Sequence, residues 1–412
     1  MFAHLNRDAK LLLLSRALRS FAFSYMNVVF SIYLARIGYS TIMIGFVHSV
    51  AYISGALLTA VWGFLSDRHG RKKILIVLAV LTICSSTIYI FFTQVVFILL
   101  AVILVNVGAG GSAGGGQGGG TFNPVEQALL AEKCSAEERN RAFSNMAFVG
   151  SIFGSLGALV SGLPEFLQER WAWQTVDSYK PLFGLNILFC IALIFLYQAI
   201  REEHRPSVKP KSILSKQSGA FVTKLSLLAF VDHMGSGMLS PLIAYWFFLR
   251  FGVELKALGV MFFLSYFSAA ISFLVAPIIA RHIGVVRTMF FSHATASFLY
   301  LALPFTPTFF IASILVVARS FVAYMDNPLR ESFTMAMVQS GERGAAAGVT
   351  NLARVVPYGV SPTLSAYMMQ SLSLTVPLVI GGSLQLTHDI TFYYLFRHVK
   401  PPEEKEVEGR KR

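Results

Sequence analysis

The sequence predicts an all-α integral membrane protein with 12 transmembrane helices in two six-helix pseudo-repeat bundles. Three observations predict it. Of the 412 residues, 55% are hydrophobic and 13% charged, about half the charged share of an ordinary soluble domain. The apolar residues also collect in about a dozen runs near the roughly 20 residues that a spanning helix needs. Finally, landmarks in the first half of the chain recur in the second.

The spans are expected at 11–37, 41–64, 74–93, 95–130, 142–164 and 181–200, and then at 219–249, 255–279, 287–304, 307–335, 344–370 and 373–396. With the N-terminus inside, 23 lysines and arginines fall in inner loops and tails. Only Arg36, Arg170, Lys180, Arg250 and Lys256 fall outside. That bias fixes a topology with both termini cytoplasmic in a multi-pass cell-membrane protein. The net charge of +13 is therefore a topology signal and does not point to nucleic acid. The first apolar run is long enough to span and lacks a small-residue cleavage site, so no cleavable signal peptide is expected.

The polar loop 201–218 divides the chain into an N-terminal bundle, 1–200, and a C-terminal bundle, 219–397, with a cytoplasmic tail at 398–412. The two bundles repeat. Arg36-Ile37-Gly38 with Gly45 matches Arg250-Phe251-Gly252 with Gly259, at an offset of 214, and at the same offset Gly70 falls on Gly284. Asn123-Pro124 then matches Asn327-Pro328, and Glu138-Arg139 matches Glu342-Arg343, at an offset of 204. The ten residues lost between the two offsets point to Gly108–Gly120, where nine of thirteen positions are glycine. Glycine costs a helix interior about 1 kcal/mol per residue relative to alanine. The fourth span is therefore expected to be broken or loosened there. A hinge and a close-packing small-residue face both fit.

Between the second and third spans runs Gly63-Phe64-Leu65-Ser66-Asp67-Arg68-His69-Gly70-Arg71-Lys72-Lys73. Its cations cannot sit in hydrocarbon, so the turn lies at a membrane surface. Gly63, Asp67, Arg68, Gly70, Arg71 and Lys72 resemble the G-x-x-x-D-R-x-G-R-[RK] signature of the major facilitator superfamily (MFS) of secondary transporters. The segment Pro277–Arg287 is a worn copy without the acid. Parallel six-helix repeats are the architecture of that superfamily.

The resemblance implies an MFS fold, alternating access and a small-molecule substrate. It also implies that Asp67 caps the start of the eleventh helix and that Arg71 pairs with an acid ending the fourth. Glu132, seven residues before Arg139, is the expected partner of Arg71. Together these residues form a latch that sets the energy of one access state.

Ionisable residues inside spans cost several kcal/mol and normally face the bundle interior or a water path. Arg19 corresponds to His233 at the offset of 214, and Leu18 to Asp232. The first and seventh spans, which line the cavity in the resembled family, thus carry a cation and an acid–imidazole pair at equal depth. Pairing of Arg19 with Asp232 would neutralise both at rest, as a breakable or a permanent ion pair. The tenth span adds Arg319, Tyr324 and Asp326, and the eleventh Arg354. These seven residues form the expected substrate and proton pathway, with Asp232 the expected protonation site. Arg16 and Lys224, nearer the span ends, are expected to snorkel. His48 and His293 read as packing residues.

Cys84, Cys134 and Cys190 have no metal-site spacing. No nucleophile–base set, metal pattern or phosphate loop with a GK[ST] ending is legible. Neither an enzyme, a cofactor nor an ATP-driven pump is therefore expected. The lipid bilayer and protons are the further partners, and the chain is expected to be a monomer. Deep cations favour an anionic or polar organic solute, while the aromatic and methionine content equally suits efflux of amphiphiles. A non-transporting receptor on the same fold would need a large extramembrane domain, and the longest outer loop runs only from Pro164 to Lys180.

Overall fold

A computed structural model describes residues 6–105, 120–134, 136–201, 216–325, 330, 338 and 342–397. Among these residues every regular element is helical. The first half forms α1 (Arg7–Arg36), α2 (Thr41–His69), α3 (Arg71–Phe91), α4 (Val95–Leu104), α5 (Phe122–Lys133), α6 (Ala136–Leu159), α7 (Leu163–Trp171) and α8 (Lys180–Ala199). The second forms α9 (Lys216–Leu239), α10 (Ile243–Phe251), α11 (Leu255–Ile283), α12 (Val285–Ala302), α13 (Phe309–Ala323), α14 (Arg343–Ser371) and α15 (Val376–Phe396). By length and apolarity, five described spans could cross a bilayer, or six if α9 and α10 form one span bent by 41°. The bend falls at Ser240–Leu242, where Pro241 lacks the N–H that a continuing helix requires. Most of Gly108–Gly120, the linker 202–215 and the tail 398–412 lie outside the described residues.

Local chemistry sets the helix starts. The Asn6 side chain accepts from the Ala9 amide at 2.7 Å and opens α1. Ser40 does the same for α2 through Met43, and Thr308 for α13 through Ile311. These are the usual N-cap residues, each satisfying an amide that the helix leaves without a carbonyl.

The turn between α2 and α3 is the single residue Gly70, with φ 100° and ψ 137°. Gly284, with φ 88° and ψ 155°, joins α11 to α12 in the same way. A side chain would clash at positive φ, so both turns require glycine. The repeat is thus written in the backbone as well as in the sequence. Gly38 and Gly252, also at positive φ, end the corresponding earlier helices.

The chain forms two compact units. Unit 1 comprises residues 1–207 and 241–267, and unit 2 comprises 208–240 and 268–412. In unit 1, α1 packs on α6 and α8, and α3 packs on α8. The first approach is very close: a Cβ at Gly157 would lie 2.1 Å from the Phe21 carbonyl oxygen. Tyr33 packs edge-on and Tyr89 tilted against Phe183 inside this unit, with centroid separations of 5.0 and 5.3 Å. In unit 2 the equivalent helices meet equivalently, α9 on α14 and α15, and α12 on α15. A Cβ at Gly235 would lie 2.4 Å from the Gly381 carbonyl oxygen.

Residues 241–267 are tied into unit 1. Arg36 contacts Glu254 at 2.6 Å. Thr41 meets Tyr245 at 2.9 Å, Asn27 donates to Tyr266 at 3.2 Å, and Glu165 accepts from the Lys256 amide at 2.8 Å. All of these but the Asn27–Tyr266 bond lie near the Gly38 end of the helices, opposite Gly70.

Candidate functional site

Unit 1 holds one buried ion set, built where α1, α5 and α8 meet. Arg19 from α1 is 2% exposed and Glu126 from α5 is fully buried. Arg19 makes a close two-nitrogen contact with the Glu126 carboxylate, its Nη2 on Oε2 and its Nε donating to Oε1 at 3.3 Å. The Tyr197 hydroxyl, from α8, donates to Glu126 Oε1 at 2.5 Å. Ser15 approaches the same oxygen at 3.4 Å. One turn before Arg19, Arg16 donates to Asn123 Oδ1 at 2.7 Å. Arg19 also lies over the Phe122 ring, 5.3 Å from its centroid.

Arg19 has a counter-charge in its own unit, Glu126, and Asp232 has partners on helices of unit 2. One expectation changes here. Arg16 does not snorkel. It is 2% exposed because Asn123, on the helix packed beside it, supplies an acceptor.

Unit 2 holds the second set, where α9, α12 and α15 converge. Asp232 is 5% exposed and Asp389 1%. His293 bridges them, with Nδ1 2.5 Å from Asp389 Oδ1 and Nε2 3.5 Å from Asp232 Oδ1. His388 Nδ1 lies 2.9 Å from the same Asp389 oxygen. The other Asp389 oxygen accepts from the Ser297 hydroxyl at 2.6 Å. Gln385 donates to Asp232 Oδ1 at 3.3 Å, and Arg330 Nη1 lies 3.3 Å from His388 Nε2. Gln385, His388 and Asp389 sit at i, i+3 and i+4 of α15, the spacing that places side chains on one helix face.

The remaining expected pathway residues have their own surroundings. His233 is half-buried, 3.4 Å from Asp232 Oδ2, with its Nδ1 2.8 Å from the Ala229 carbonyl oxygen. Its ring lies edge-on to Tyr358 at 5.8 Å. Arg319 sits over the Tyr300 ring at 5.3 Å, and Tyr324 approaches Phe273 at 6.5 Å. Arg354 is half-buried on α14. Asp326 lies outside the described residues.

At the Gly70 end of unit 1, Arg71 reaches Glu132 Oε1 at 2.5 Å. It also reaches Asp67 Oδ1 at 3.3 Å, one turn back on α2, and donates to the Ala128 carbonyl oxygen at 2.9 Å. Lys72 donates to the carbonyl oxygens of Gln198 and Ile200 at 2.6 and 2.9 Å. The turn is thereby fastened to the ends of α5 and α8. Arg68 is exposed. A Cβ at Gly63 would meet nothing within 4 Å. The N-cap of α14, Glu342, makes no side-chain capping bond.

The family model described as Major Facilitator Superfamily matches residues 12–223 and 225–412. The chain belongs to the major facilitator superfamily. An uncharacterised membrane protein of Saccharomyces cerevisiae is 23% identical over 98% of this chain and 97% of its own length. The multi-drug resistance efflux pump PmrA of Streptococcus pneumoniae is 26% identical over 48% of this chain and 47% of the pump. Among solved structures, the inward-open xylose transporter XylE of Escherichia coli superposes with a TM-score of 0.73. It covers 97% of this chain and 99% of that one at 15% identity, which shows a shared fold. The protein is a multi-pass membrane transporter of the MFS.

Sequence reasoning passed over Glu126 as a partner of Arg19, and it passed over His388 and Asp389 altogether. His293 had read as packing, yet it is the bridge of the second set. One signal was present: His388-Asp389, two adjacent ionisable residues inside the last apolar run, where each is costly without a partner. By contrast His48, fully buried and 2.7 Å from the Ser31 hydroxyl, is a hydrogen-bonded packing residue.

Proposed function

We propose that this MFS protein is a secondary active transporter that moves a small organic solute across the cell membrane by alternating access, with protons as the coupling ion. The observation that supports this most is the placing of one buried ion set in each half of the repeat. Glu126, Asp232 and Asp389 are carboxylates held out of water among arginines, imidazoles and hydroxyls. Such groups inside spans are costly and mark solute and ion paths. Arg19, Asp232, His233, Arg319, Tyr324, Asp326 and Arg354 remain the proposed pathway. The bundles 1–200 and 219–397, joined by the linker 201–218, are the moving parts, and both termini and the linker face the cytoplasm.

The contacts of Gly63, Asp67, Arg68, Gly70, Arg71 and Glu132 act as a latch. On this reading the latch contacts form in only one of the two access states and set its energy.

Purified protein in liposomes tests the proposal. Solute flux should respond to an imposed pH gradient. Flux indifferent to the gradient removes proton coupling, and no flux for any member of a broad metabolite and drug panel removes the transporter reading.

The similarity to a multi-drug efflux pump favours a second reading, export of amphiphilic compounds. An Arg319→Ala variant separates the two, since loss of transport for anions alone supports the polar-solute reading.

A further inference from the structure

We propose that Asp232, His293 and His388 form a binding site for a divalent first-row transition ion of the Zn2+ class. One ligand atom from each lies within 4.8 Å of the others, and the three come from three different helices of unit 2. His293 Nε2 and Asp232 Oδ1 are 3.5 Å apart, about the separation of two ligands that each stand roughly 2.0–2.1 Å from one ion. Two imidazoles and a carboxylate suit Zn2+, Co2+ or Fe2+ and are a poor set for Ca2+ or Mg2+, which take oxygen ligands.

Asp389 completes the arrangement. Its Oδ1 lies 2.5 Å from His293 Nδ1 and 2.9 Å from His388 Nδ1. One carboxylate therefore holds the Nδ1 proton of both rings and leaves both Nε2 lone pairs as ligands. Metal-binding imidazoles are usually oriented through such a carboxylate. The Ser297 hydroxyl fixes the other oxygen of Asp389 at 2.6 Å.

Gln385 supplies an independent observation. It is 2% exposed, its amide nitrogen is 3.3 Å from Asp232 Oδ1, and its Oε1 has no hydrogen-bond partner among the described residues. A buried carbonyl oxygen without a donor, beside the triad, fits a fourth ligand. Arg330 is the competing group. Its Nη1 lies 3.3 Å from His388 Nε2, so an ion displaces it from that lone pair. The Phe392 ring, 5.7 Å from the guanidinium carbon, is the surface that would keep it.

Three helix-borne ligands explain why no spacing rule in the sequence shows the site. The site shares Asp232 with the proposed pathway, and its test needs no transport.

The experiment is Zn2+ titration by calorimetry and thermal shift of the purified full chain, carrying no polyhistidine tag. The expected result is about one ion per chain with a dissociation constant in the micromolar range or tighter, and no response to Mg2+. Asp389→Asn should weaken binding roughly 10–100-fold with all three ligands present. Binding should be lost in His293→Ala and unchanged in His69→Ala with His282→Ala, which removes two exposed imidazoles. Arg330→Gln should tighten it. Co2+ absorption of the unmutated protein guards against variants that fail to fold, and it should show a low-symmetry nitrogen–oxygen site. No saturable Zn2+ binding, no Co2+ spectrum, or full binding in a folded His293→Ala variant would overturn the proposal.

Discussion

Replacing Glu126 by Gln separates a structural ion set from a decorative one. Glu126 is fully buried and accepts from Arg19, from Tyr197 at 2.5 Å and from Ser15 at 3.4 Å. Glutamine keeps the volume but removes the charge, leaving the buried guanidinium of Arg19 without its counter-ion. Its amide also faces Arg19 and Tyr197 with one acceptor where two had been. Breaking a buried pair from one side costs about 3–5 kcal/mol. In a unit of this size each kcal/mol lowers the melting temperature by roughly 2–4 °C, so the fall should be on the order of 10 °C. The double variant Arg19→Met with Glu126→Leu should recover much of that, because the pair leaves as a unit and Arg16 keeps its Asn123 acceptor. The assay is thermal unfolding of the purified protein in one detergent at fixed pH. A Glu126→Gln variant melting within a degree or two of the parent would refute the account. So would a double variant that loses the full sum of the two single changes.

Other expectations follow from packing, backbone and charge. Gly157→Ala should destabilise by about 1–3 kcal/mol, since its Cβ would lie 2.1 Å from the Phe21 carbonyl oxygen. Gly184→Ala, where nothing lies within 4 Å, should melt like the parent or slightly higher. Gly70→Ala should cost about 1–2 kcal/mol, because its φ of 100° penalises any side chain, and Gly284→Ala should cost a similar amount. Glu132→Ala should change stability by no more than about 1 kcal/mol, since both partners are partly exposed. It should nevertheless shift the labelling rate of cysteines introduced along the solute path, and an unchanged rate would remove the latch role.

The sequence carried the fold because membranes leave few choices. Long apolar runs must be helices, and Gly70 and Gly284 had to end one helix and begin another where only glycine fits. The Arg71–Glu132 contact was legible through the family resemblance, which pairs this arginine with an acid ending the fourth helix. The buried ion sets were not legible in detail. Arg19 and Asp232 stood out as costly residues, but their partners depend on helix rotation, which spacing along one chain does not fix. Glu126 shares a face with Arg19 only because α5 packs on α1 with that side inward. Asp389 and His388 lie on α15 and His293 on α12, and the close approach of α15 to α9 through Gly235 and Gly381 is a property of the assembled unit.

The most direct test of transport is the internal pH of proteoliposomes, read with an entrapped dye as a solute found by thermal-shift screening at two pH values is added. The account predicts a pH change that follows the solute gradient in sign and disappears without the protein. Solute movement with no accompanying pH change would contradict it.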